Sequence, residues 1–89
     1  MIYTTPEIAR AALDHYGNAH QIRKAVEECG ELVAALMQYD DGRVADEAVI
    51  TEIADVSIMM EQLALLFGKA RVFDEICRKE SRLLKRIKE

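Results

Sequence analysis

Lys24-Ala-Val-Glu-Glu-Cys-Gly-Glu-Leu-Val-Ala-Ala-Leu36 decides how this chain folds. Val26, Cys29, Leu32, Val33 and Leu36 recur at spacings of three and four, the period of an amphipathic helix. The same stretch carries Glu27, Glu28 and Glu31. Glu27 and Glu31 stand at i,i+4 and Glu28 and Glu31 at i,i+3, and like-charge pairs at those spacings each cost roughly 0.2–0.5 kcal/mol on an exposed helix. Lys24 is placed to relieve Glu27 and Glu28, but positions 34 and 35 are both Ala and offer Glu31 no cation. A balance for Glu31 is therefore expected from outside its own helix.

Glu52-Ile-Ala-Asp55 sets a second pair of acids at i,i+3 on another expected helix. Between the two lies Tyr39-Asp-Asp-Gly-Arg43, where Gly42 suits a positive-φ turn. The centres of the two pairs lie 12 residues before and 12 residues after the middle of that turn. In an antiparallel helix hairpin both pairs then stand about 18 Å from the turn, level with each other. Four carboxylates at one level repel unless cations sit among them, and an all-oxygen ligand set points to Mg²⁺ or Mn²⁺.

The remaining sequence extends this hairpin into an all-α chain of four helices. Thr5 is expected to cap the first helix, with Pro6 at its first position and Glu7 beside the positive dipole end, and Gly17 to follow its end near Tyr16. Asn18 and Gln21 read as a capping box for helix two, which runs to about Tyr39. Helix three starts between Arg43 and Asp46 and ends at Phe67 before Gly68. Helix four spans about Ala70 to Ile87, with its apolar face on Val72, Phe73, Ile76, Cys77, Leu83, Leu84 and Ile87. No strand pattern, internal repeat or low-complexity linker interrupts residues 1–89, which read as a single domain.

On helix three, Glu52 and Asp55 fall in the same sector as Met59, Leu63 and Leu66, while Ile58 and Leu65 make another side apolar. Acids that continue an apolar stripe need partners. The net charge of −4 divides unevenly: residues 1–68 hold 4 basic and 12 acidic side chains, residues 69–89 hold 8 basic and 4 acidic. The short basic part shares its helix with acids, which is not a nucleic-acid-binding composition. The opening residues lack the basic and apolar regions of a secretory signal, and Val56 to Phe67 is too short and too interrupted to span a membrane. Cys29 and Cys77 read as buried thiols, and the chain as cytoplasmic.

Glu27-Glu28-x-x-Glu31, a spacer of 20 residues, then Glu52-x-x-Asp55 resembles the ExxE…ExxD pattern of the MazG-like all-α nucleoside triphosphate pyrophosphohydrolases. The flanks, Glu-Cys-Gly-Glu-Leu and Glu-Ile-Ala-Asp-Val, are similar too, and the resemblance covers roughly residues 18–87. It implies hydrolysis of a (d)NTP between the α and β phosphorus atoms to a (d)NMP and pyrophosphate. By the family pattern Glu28, Glu31, Glu52 and Asp55 would hold Mg²⁺, with Glu27 either supporting those ligands or assisting the attacking water. Many members place a Lys and an Asn after ExxD to contact substrate, whereas the only Asn here is Asn18, before both motifs.

Lys24, Lys79 and Arg82 are the candidate phosphate contacts: Lys24 for its nearness to the motif, the other two as a basic row with Arg86 beside the apolar face of helix four. Each also reads as an ordinary solvated or ion-paired cation. Tyr3, Tyr16 and Tyr39 read either as residues that stack on a base or as ordinary core aromatics. A domain this small buries only about 60–65% of its surface, too little for a chain that is 51% hydrophobic. A homodimer or homotetramer, assembled as an oligomeric helical bundle, is therefore expected, with helix four of one subunit over the acidic site of another. The alternative from another class is a non-enzymatic dimeric helical interaction module, which explains the apolar helices but leaves the carboxylate pairs without a cause.

Overall fold

The computed structural model describes residues 6–89, so Thr5 as a cap and Tyr3 as a stacking residue lie outside the described residues. Four helices follow one another: α1 (Pro6–Tyr16), α2 (Asn18–Asp40), α3 (Asp46–Phe67) and α4 (Lys69–Lys88). There is no strand among the described residues. Charge placement at the helix ends follows the peptide dipole. Glu7 opens α1, Asp46 and Glu47 open α3, and Lys85, Arg86 and Lys88 close α4.

The joints are set by glycine. Gly17, between α1 and α2, has φ 89° and donates its amide to the Leu13 carbonyl at 2.8 Å. Gly68, between α3 and α4, has φ 108°, and a Cβ there would stand 3.2 Å from Cδ of Arg71. Both positions lie in the left-handed half of conformational space, where a side chain is strained. Gly42 also has positive φ, as its turn requires.

The capping box at the start of α2 is not formed. Asn18 is the first helical residue, Gly17 occupies the N-cap, and no side chain caps it. Gln21 turns inward instead, where its amide donates to Gln62 Oε1 of α3 at 2.7 Å. Both glutamines are buried, and an unpaired buried amide costs more than a cap contributes.

Helices α2 and α3 share the most extensive contact, α1 packs on both, and α4 meets only α3. The buried hydrophobic residues come from the first three helices: Ala9, Leu13, Ala25, Ala35, Met59 and Ala64. Four of these six are alanine, so the helices approach closely over little apolar volume. Of the stripe expected to continue from the acids of α3, Met59 is buried and Leu63 and Leu66 are half-buried; on the other apolar side Leu65 is half-buried and Ile58 exposed.

Glu61 is the largest fully buried side chain among the described residues, at 1% exposure. Its Oε1 accepts from Lys69 Nζ at 2.9 Å across the α3–α4 joint, while its Oε2 has no partner. Beyond that joint α4 buries no residue. Its apolar face is exposed at Phe73, Ile76, Leu83, Leu84 and Ile87. Cys77 is exposed as well and Cys29 only half-buried, which corrects the reading of both as buried thiols; both are free. The radius of gyration is 15.2 Å, against about 12 Å for a compact chain of this length. Among the described residues no helix is long and apolar enough to cross a membrane.

Candidate metal centre

Glu28 and Glu31 sit one turn apart on α2, and Glu52 and Asp55 one turn apart on α3. A rise of about 1.5 Å per residue puts i,i+3 side chains on one face of a helix, so each pair projects together. The packing of α2 on α3 then gathers all four. One carboxylate oxygen from each lies within 4.8 Å of the others, making this group of acids a candidate metal set among the described residues.

The four environments differ. Glu28 is 7% exposed, Glu52 and Asp55 are half-buried, and Glu31 is exposed at the rim. Glu28 Oε1 is 3.3 Å from Lys24 Nζ, whereas its Oε2 is buried without a hydrogen-bond partner. Glu52 Oε2 is buried and unpartnered as well. Burial holds the Glu52 carboxyl above its ordinary value of 4.5, and the negative charges of Glu31, Asp55 and Glu28 push it further the same way. Two orphaned oxygens turned into a concentration of negative charge are costly for a protein to bury. A divalent cation would supply what both lack. The donor set is all oxygen, two acids from each of two helices, which fits a hard cation such as Mg²⁺ or Mn²⁺.

Around this cluster the other candidate residues divide. Glu27 is exposed and outside the set of four, with its Oε1 3.6 Å from Lys24 Nζ. Lys24 thus bridges Glu27 and Glu28, and the hydrogen bond to Glu28 followed by the charge of Glu27 holds its ammonium above the usual lysine value. Glu31 finds no cation on α2, as its surroundings in sequence foretell. Lys79 and Arg82 are not brought to the acids within one chain. They line a shallow surface depression with Arg86 on α4, which touches α3 alone.

Tyr39 is half-exposed beside Leu36, Asp46, Val49 and Ile50, lining an open cleft near the α2–α3 turn. Tyr16 stacks on His20 with ring centroids 5.2 Å apart, and His20 Nδ1 lies 2.7 Å from Gln21 Oε1. His20 is thereby tied to the α1–α2 joint at the surface.

Sequence reasoning passed over the buried polar side chains of α3. Glu61 and Gln62 read there as mere interruptions of an apolar run. The available signal was their position: on a helix that is apolar nearly all round, a Glu-Gln pair must turn at least one polar group inward. No protein-family model, curated protein or solved structure matches this chain.

Proposed function

We propose that the chain is a Mg²⁺-dependent nucleoside triphosphate pyrophosphohydrolase that cleaves a (d)NTP to a (d)NMP and pyrophosphate. The observation that supports this reading best is the pair of buried, unpartnered oxygens, Glu28 Oε2 and Glu52 Oε2, within a four-carboxylate cluster drawn from two helices. The spacing of those acids resembles the MazG-like pattern, and with it comes the antiparallel hairpin as the frame of the site.

Glu28, Glu31, Glu52 and Asp55 would hold the metal. When bound, Mg²⁺ supplies the positive charge that a triphosphate needs and the acidity that prepares water for attack on phosphorus. The protein's own work is positional. Gathered by the packing of α2 on α3, the four carboxylates would be in place before substrate arrives, leaving little reorganisation for the reaction itself. Lys24, at the rim, is the cation of this helix that can exchange an acid for a phosphate oxygen. Glu27, exposed beside it and 3.6 Å from Lys24 Nζ, would either support the ligands or assist the attacking water. Water adds to one of the two phosphorus atoms that flank the α–β bridging oxygen, the bond from that phosphorus to the bridging oxygen breaks, and monophosphate and pyrophosphate are released.

The test is product analysis with Mg²⁺ and a panel of NTPs and dNTPs. Equal amounts of monophosphate and pyrophosphate are expected, with loss of turnover in Glu28→Gln, Glu31→Gln, Glu52→Gln and Asp55→Asn. Release of orthophosphate and a diphosphate would reject the bond assignment. The exposed apolar face of α4 favours the second reading, a helical interaction module without catalysis, and absence of turnover across the panel would select it.

A further inference from the structure

The polar side chains at the α1–α2 joint form a chain with a fixed direction. His20 Nδ1 lies 2.7 Å from Gln21 Oε1, Gln21 Nε2 donates to Gln62 Oε1 at 2.7 Å, and Gln62 Nε2 donates to Met59 Sδ at 3.9 Å. A thioether sulfur accepts and never donates, so the amide nitrogen of Gln62 must be the atom that faces it. Each amide then sets the next, and Gln21 turns its oxygen to His20. A carbonyl oxygen cannot donate either, so the proton of the neutral His20 ring sits on Nδ1 and Nε2 carries a lone pair. That Nε2 has no partner among the described residues, and the ring is exposed.

The ring is held from one side. Tyr16, 56% exposed, stacks on it with 5.2 Å between centroids and 15° between planes, and His15 meets Tyr16 edge-on at 4.6 Å. A centroid distance of 5.2 Å exceeds the roughly 3.5–4 Å separation of atoms in contact, so the two rings are offset. Part of the Tyr16 face therefore lies beside the imidazole rather than under it. A planar heterocycle lying level with the imidazole covers that part of Tyr16 and turns its edge to Nε2.

The pair lies on the line of the candidate metal site. At about 100° per residue, His20 and Lys24 fall within about 20° of Glu31 around the α2 axis. Tyr39, the other exposed tyrosine among the described residues, is about 80° away. His20 precedes Lys24 by one turn, about 6 Å, and Lys24 Nζ is 3.3 Å from Glu28 Oε1. With phosphates at Lys24 and the acids, a sugar covers that turn and its base arrives at Tyr16 and His20.

We propose that Tyr16 and His20 are the nucleobase platform of this chain, Tyr16 stacking on the base and His20 Nε2 accepting a hydrogen bond from an N–H on its edge. The platform takes its ligand from the nucleotide reading of the carboxylate site and adds to it a basis for selection. Stacking tolerates any base, whereas the lone pair of Nε2 favours a base that carries an N–H. Unsubstituted purine, joined to its sugar, has none.

The test is NMR titration of the full chain, with Mg²⁺, by the monophosphates of adenosine, guanosine, cytidine, uridine and purine riboside. These are not turned over, so binding is read apart from hydrolysis. The ring signals of Tyr16 and His20 should shift upfield with the bound base. The tightest of the four common monophosphates should bind about fivefold more tightly than purine riboside monophosphate. Tyr16→Ala should weaken binding by about tenfold. His20→Asn keeps an amide donor for Gln21 but removes the ring and Nε2, so it should stay as helical as wild type by circular dichroism and lose the preference over purine. With triphosphates, both variants should raise KM rather than lower kcat. Ring shifts without turnover of any triphosphate would leave the platform standing and reject the reaction. Ring signals that no monophosphate moves, or binding indifferent to both substitutions, would overturn the platform, with turnover or without it.

Discussion

Lys69→Met should be among the most destabilising single changes at the surface of this protein. Lys69 is half-exposed, but the carboxylate it serves is 1% exposed and accepts its proton at 2.9 Å. Removing the cation leaves Glu61 buried with neither oxygen paired, because Oε2 already lacks a partner. Breaking a buried ion pair from one side costs about 3–5 kcal/mol. Water can reach the exposed side of Lys69, so the low end, about 3 kcal/mol, is the expected loss. At about 4–8 °C per kcal/mol for a domain of this size, the melting temperature should fall by roughly 12–24 °C.

The pair itself contributes far less than that loss suggests. Replacing both partners with apolar residues of similar size, Glu61→Leu with Lys69→Met, should return stability to within about 1 kcal/mol of wild type, since the desolvation cost disappears with the charge. The assay is urea unfolding followed by circular dichroism, with chelator present and protein concentration fixed, on wild type, both single variants and the double. A Lys69→Met loss below about 0.5 kcal/mol would refute the reasoning. So would a double variant no more stable than Lys69→Met alone.

Two further outcomes concern the carboxylate cluster. The Glu52 carboxyl titrates above its ordinary value in the folded chain, first through burial and then through its acidic neighbours, so the fold binds a proton more tightly than the unfolded chain does. That contribution is present below the unfolded value of 4.5 and is lost as pH rises through the raised folded value. Thermal melts in chelator should show wild type losing stability over that rise and Glu52→Gln losing less; parallel curves would refute this. Mg²⁺ at about 100 times its Kd should add about 2.7 kcal/mol, or roughly 10–20 °C, to wild type. Glu28→Gln should show little of that gain, and an equal gain in both would place the metal elsewhere.

The carboxylate cluster was legible because an i,i+3 pair shares a helix face whatever the tertiary structure, and two such pairs flank one short break between long helices. The order and ends of the helices were legible for a similar reason, as Gly17, Gly42 and Gly68 mark the breaks and dipole-compatible charges mark the ends. Gln21 was misread because a local rule, the capping box, competed with a partner 41 residues away. Glu61 was missed for the same reason: its cation lies beyond a helix break, where no helical spacing predicts a contact. Cys77 and its neighbours on α4 misled differently. Their periodicity reports an apolar face correctly, but periodicity does not say whether the covering surface belongs to the same chain.

A helix of 20 residues that buries none of them has little except local terms to hold it. In α4 these are the Arg78–Glu75 ion pair, the Ser81 hydroxyl donating to the Cys77 carbonyl at 3.0 Å, and the cationic last turn. Isolated helices of such length are marginal in water, because nucleation is costly and each ordered residue gives up about 1–2 kcal/mol of backbone freedom. Helical content in α4 is therefore coupled to whatever covers it, while α1 to α3 keep theirs from mutual packing. Fraying of this segment and melting of the three-helix body therefore become separable processes, so the helix signal of a warming solution should fall in α4 before the rest of the chain unfolds.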